Sequence, residues 1–112
     1  MKDEQTNNLQ HILIKCITAC ETCATMCLQE DDVKMMTRCI QTDLDCADIC
    51  SLTAKYVARE SEFTTDMLSL CINICKACYE ECKKHDHEHC QKCAEKCKEC
   101  YEACEEYSIQ HA

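Results

Sequence analysis

The 112-residue chain carries 21 acidic against 12 basic side chains, a formal net charge of −9, which argues against nucleic-acid backbones and anionic membrane surfaces as partners. Gly and Pro are both absent, so the usual markers of hairpins and sharp loops are missing and nearly everything reads as helix. The length suits one buried core, so residues 1–112 are expected to form a single domain, and no apolar run approaches the ~18 residues that span a bilayer.

Taken in chain order, the first helix is expected from about Gln5 to Gln29, with Ile12 and Leu9 one and two turns before Cys16 on the same face as Cys16, Cys20, Cys23 and Cys27. The acidic run Glu30, Asp31 and Asp32 reads as a short connection in which Asp31 or Asp32 caps the next helix. That helix carries Met35 and Met36 in its first turn, continues through Cys39, Cys46 and Cys50, and ends near Tyr56 or Arg59. Ser61 offers the next N-cap, for a helix from about Glu62 to Lys84 that bears Cys71, Cys75, Cys78 and Cys82. Asp86 is placed to cap the last helix, from about His87 to Ser108, which bears Cys90, Cys93, Cys97, Cys100 and Cys104. Four helices joined by short connections alternate in direction, which predicts an all-α, antiparallel up-down-up-down bundle with a cysteine-lined core.

The 16 cysteines follow alternating spacings of three and four. At about 100° per residue the first and third groups each fit a stripe about 60° wide, the place where a bundle normally puts Leu. There is also an internal echo: the spacing of Cys16, Cys20, Cys23 and Cys27 recurs as Cys71, Cys75, Cys78 and Cys82, and Cys39, Asp43, Cys46 and Cys50 match Cys93, Cys97, Cys100 and Cys104. Asp43 thus stands where a thiol would, and hydrogen bonding to nearby thiols or backbone, or pairing with a basic side chain, is expected of it. The segment MKDEQTNNLQHILIKC has no uninterrupted apolar stretch, so the chain is expected to be soluble, unexported and cytoplasmic, with its thiols reduced.

A lone CxxC is a weak signal, but here Cys20 belongs to a CxxxC with Cys16 and a CxxC with Cys23, so no cysteine has a private partner. Charge then separates the candidate metals. Zinc held by four thiolates leaves −2 at each site, which accumulates repulsion in a dry core, whereas bridging thiolates with two-coordinate Cu(I) exchange one proton for each metal ion. The pattern therefore points to many Cu(I) ions, roughly one per cysteine. No single exposed pair of cysteines suits a one-ion chaperone and no catalytic pocket is visible, so the chain is not expected to be an enzyme. A zinc or mixed-metal thiolate buffer and a thiol–disulfide redox protein are the rival readings.

The chain resembles the cysteine-rich four-helix-bundle copper storage proteins of bacteria, in the cytosolic branch. The resemblance spans about Cys16 to Cys104 and is carried most specifically by CIQTDLDCADIC from Cys39 and CKACYEECKKHDHEHCQKCAEKC from Cys75. It implies a store of Cu(I) bound by interior cysteines, protomers that assemble as homotetramers, and a match of His85, His87 and His89 to the histidine-rich connection between the last two helices. Two departures stand out: Met35 and Met36 lie where relatives often place His, and no Pro follows Ser61.

Topology gathers Met26, Met35, Met36, His85, His87 and His89 at one end of the bundle. It gathers Leu9, Ile12, Leu13, Tyr56, Phe63, Met67, Leu68, Tyr107 and Ile109 at the other. Soft donors at one mouth and hydrocarbon at the other predict a single entrance, with His85, His89, Met35 and Met36 as candidate ligands beside the thiols and His87 projecting farther from them. Tyr79 and Tyr101 flank their stripes and are expected to pack between helices or subunits.

Overall fold

A computed structural model describes residues 3–111. The elements are α1 (Glu4–Cys27), a short 3-10 turn (Val33–Met36), α2 (Thr37–Ala58), α3 (Thr64–Cys82) and α4 (Glu88–Gln110), with no strand among the described residues. They form the expected antiparallel bundle, a rod of 47 × 21 × 18 Å in which α1 packs against α2 and α4, and α3 against the same two. Met1, Lys2 and Ala112, part of the expected single domain, lie outside the described residues.

The helix bodies follow the sequence periodicity, whereas their starts do not follow the expected caps. Asp3 caps α1, its Oδ1 accepting from the Thr6 amide at 2.7 Å, a position earlier in the chain than the expected start. Neither Asp31 nor Asp32 caps α2; its N-cap is Met36, and the Asp32 carboxylate instead faces His87 Nε2 at 3.3 Å. Ser61 Oγ accepts from the Phe63 amide at 3.0 Å, but α3 starts only at Thr64, whose amide and hydroxyl both donate to the Ser61 carbonyl. The N-cap of α4 is His87 and not Asp86.

The turn after α2 has to reverse the chain without glycine. Glu60 takes a left-handed conformation, φ 51°, while its amide donates to Val57 O and the Ser61 amide reaches back to Tyr56 O at 3.0 Å. This is the Schellman closure of a helix with Glu in the position that Gly normally fills.

The core divides along the rod. At the end that holds Asp3 and His111, Leu9, Leu13, Val57 and Leu68 are buried, each worth about 1.5–3 kcal/mol of hydrophobic stabilisation. Thr6 Oγ1 and Tyr107 Oη meet there at 2.9 Å, and Ile12, Met67 and Tyr107 pack around the plug. Phe63 and Ile109 do not join it, being 54% and 80% exposed, because each lies at a helix end beyond the last packed turn. All sixteen cysteines fill the remaining core as buried free thiols. Tyr79 and Tyr101 pack edge to face across α3 and α4 with ring centroids 5.9 Å apart, covering the thiols from outside.

Candidate metal centre

Each helix delivers its thiols inward because residues three and four apart share a face, and four such faces meet on the bundle axis. Deepest, Cys104 lies 4.0 Å from Cys71, which lies 3.8 Å from Cys75 and 3.9 Å from Cys50. Cys75 and Cys46 have the closest sulfurs, 3.2 Å apart, and Cys46 continues to Cys16 at 3.7 Å and Cys97 at 3.9 Å. Cys97 meets Cys20 at 3.7 Å, and Cys93 meets Cys20 at the same distance.

These sulfurs form overlapping quartets. Cys16, Cys46, Cys50 and Cys75 lie within 4.8 Å of one another, as do Cys16, Cys20, Cys46 and Cys97, and again Cys20, Cys78, Cys93 and Cys97. Cys50, Cys71, Cys75 and Cys100 make a further quartet towards the plug, and Cys23, Cys27, Cys39 and Cys90 one towards the opposite end. Because each quartet shares members with the next along the inner core, the donors are not partitioned into closed four-ligand sites. Such an arrangement suits ions held by shared sulfurs.

Asp43 occupies the gap in the α2 stripe. Fully buried, its Oδ1 accepts from Cys78, Cys82 and Cys93, each at 3.2 Å, and Oδ2 from Cys39 at 3.9 Å. Thiol hydrogen bonding is thus the outcome, and no basic side chain is among these partners. Burial, the largest cause, pushes the carboxyl far above the ordinary carboxylate range.

Towards the other mouth, Cys23, Cys27 and Cys90 form a triangle of sulfurs 3.8–3.9 Å apart. His89 closes over it, its Nδ1 lying 3.4 Å from Cys23, 3.6 Å from Cys90 and 3.9 Å from Cys27. The neighbouring thiols of Cys39 and Cys82, with a smaller contribution from His89, hold the Cys23 thiol below its ordinary value against opposition from Cys93 and burial. Burial works against the protonated His89 ring, but hydrogen bonds to Cys23 and Glu30 outweigh it and raise the pKa.

The other soft-donor candidates are dispersed. His85 Nε2 donates to Glu81 at 2.9 Å, and Glu81, buried between α2 and α3, also meets Arg38 at 3.3 Å and Lys84 at 3.6 Å. His87 stacks on His89, ring centroids 5.4 Å apart, and faces Glu30 and Asp32 with its two nitrogens at 3.3 Å each. Met36 is completely buried, whereas Met35 is 73% exposed. Sequence reasoning passed over Glu30, which receives the His89 Nε2–H at 2.7 Å; its adjacency to the Cys27 helix end was the available signal, read as a mere connection.

A family model described as copper storage protein matches residues 2–109. The fold is similar to that of the Cu(I)-bound copper storage protein BsCsp3, with a TM-score of 0.87 and 41% identity over 92% of this chain and 97% of that one. It is also similar to Ccsp, a copper storage protein from Streptomyces lividans loaded with 10 copper equivalents, with a TM-score of 0.91 and 39% identity over 95% of this chain and 85% of that one. The cysteine-rich protein YhjQ of Bacillus subtilis strain 168 is 47% identical over 81 residues, which cover 72% of this chain and 75% of that protein.

Proposed function

The chain belongs to the copper storage protein family, and from that premise we propose that it holds many Cu(I) ions in its core, lowering free copper and supplying cuproproteins. The sixteen cysteines are the proposed ligands of most of the metal. His89 joins them at the entrance, with His85, Met35 and Met36 as the accompanying soft donors. The store is proposed to act in the cytoplasm as a single-domain protomer of a homotetramer and to carry no catalytic activity. Consistent with a non-membrane role, no described helix is long and apolar enough to cross a bilayer.

The observation that carries this reading is the overlap of the sulfur quartets. A thiolate shared by two Cu(I) ions contributes half of its charge to each, so two-coordinate ions can fill the rod while every arriving Cu⁺ displaces one thiol proton. A zinc-filled core would gather a net −2 at each site in a medium of low dielectric.

The test is an anaerobic Cu(I) titration of the reduced protein against a competing chelator. Uptake of roughly sixteen ions per chain is the expected result. Saturation near roughly four ions, the ratio of tetrathiolate zinc, would overturn the reading.

A further inference from the structure

We infer that Glu30 is a positioning residue for His89: it fixes the ring in the tautomer whose bare nitrogen faces the sulfur triangle, and so makes Nδ1 the first atom able to take Cu(I) from the mouth. The inference rests on the storage reading and adds to it the residue that prepares its entrance.

The argument begins with what a carboxylate can do. It has no proton to give, so the 2.7 Å contact between Glu30 Oε2 and His89 Nε2 requires the hydrogen to sit on Nε2. The Nδ1 lone pair belongs to the neutral ring: with one hydrogen held on Nε2 by Glu30, loss of the second proton bares not Nε2 but Nδ1. That atom is the one aimed inward, 3.4 Å from Cys23, 3.6 Å from Cys90 and 3.9 Å from Cys27. With the tautomer reversed, the same ring would present an N–H to the triangle and could not coordinate.

Several contacts hold Glu30 to this task. Its amide donates to Cys27 O at 3.2 Å, which ties the loop residue to the end of the helix that carries two of the three sulfurs. His87 lies against the outer face of His89 with the ring planes 6° apart, which limits the swing of the imidazole, and its Nδ1 shares the Glu30 carboxylate at 3.3 Å. The His89 side chain is only 8% exposed, while that of Glu30 is 28% exposed. The carboxylate can therefore be altered with little disturbance to packing. A carboxylate that accepts from the far nitrogen of a ligating imidazole also raises the basicity of the near one, and loss of such a partner typically weakens metal binding by about tenfold or more.

The experiment uses the reduced full-length chain, ¹⁵N-labelled at histidine, with a chelated Cu(I) donor. In the parent, the nitrogen shifts of His89 should report a hydrogen on Nε2. Glu30→Ala should mix the tautomers and slow uptake of the first Cu(I) equivalents about tenfold, with final capacity unchanged. Glu30→Gln, whose amide oxygen still accepts from Nε2–H, should recover most of the rate. In a His89→Ala background, Glu30→Ala should slow loading no further. The inference is overturned if Glu30→Ala leaves the His89 tautomer and the loading rate unchanged, or if it slows the His89→Ala protein by the same factor. A parent that saturates near roughly four ions instead defeats the storage reading itself, whatever the rates.

Discussion

Asp43 puts a carboxyl where the helical stripe would place a thiol, and its environment makes it hold a proton. Burial raises its pKa from the ordinary 3.8. The folded apoprotein therefore keeps a proton that the unfolded chain releases, so apoprotein stability should fall as pH rises above about 4, by up to about 1.4 kcal/mol per unit. Asp43→Asn removes the titrating group and should flatten that decline. Urea unfolding of the reduced apoproteins at pH 5 and pH 8 checks it, and equal slopes in parent and variant would refute the assignment. The two methionines should also separate: Met36→Ala, which opens a cavity at a completely buried side chain, should cost about 2–4 kcal/mol, while Met35→Ala at a 73% exposed site should cost less than about 0.5 kcal/mol. At this scale the sequence identified Asp43 as an interruption and left thiols, backbone or a basic side chain open as its partners. It could not choose among those thiols, because Cys78, Cys82 and Cys93 come from two other helices whose register only packing fixes.

The helices were legible because cysteine repeats at the helical period, and their lengths because the acidic and histidine-rich breaks fall between the stripes. Their caps were not. Asp32 has a capping residue's chemistry, but His87, distant in sequence, engages its carboxylate; such competition between a local and a long-range partner leaves no local mark. Nor does the end of α2, where the chain lacks the glycine that would announce a left-handed residue. Glu60 bears that conformation at a steric cost of about 1 kcal/mol. Glu60→Gly should accordingly stabilise the apoprotein by about 1 kcal/mol, read as a higher melting temperature with unchanged helicity. A loss of stability would mean that the side chain of Glu60 contributes more than its backbone conformation costs.

Over the whole molecule, the division between hydrocarbon and thiol predicts how fold and metal are coupled. Leu9, Leu13, Val57 and Leu68 pack without any ion, so the reduced apoprotein should show a strongly helical spectrum, and Cu(I) should chiefly raise its melting temperature. A random-coil spectrum would contradict this. Replacing Met35, Met36, His85 and His89 together by apolar residues should slow uptake several-fold while leaving capacity nearly unchanged. Cys→Ser at Cys20, Cys46, Cys75 and Cys97 should reduce capacity itself, since these residues belong to several of the overlapping quartets. Both effects are read from the time course and end point of transfer from a Cu(I) chelate. Equal rates for the entrance variant and the parent, with faster loading after Leu9→Ala and Ile12→Ala, would place the entrance at the opposite end.

The hydrocarbon plug should also set the order of traffic. In a narrow rod filled from the His89 end alone, two ions would not pass side by side but would advance by trading sulfurs with their neighbours, so the interior would work as a stack and not as a queue. Protein loaded first with ⁶³Cu and then with ⁶⁵Cu should, when a chelator withdraws the metal faster than the ions redistribute, release ⁶⁵Cu ahead of ⁶³Cu. The most recent arrivals are then the circulating copper, and the ions beside Cys71 and Cys104 the long-term reserve.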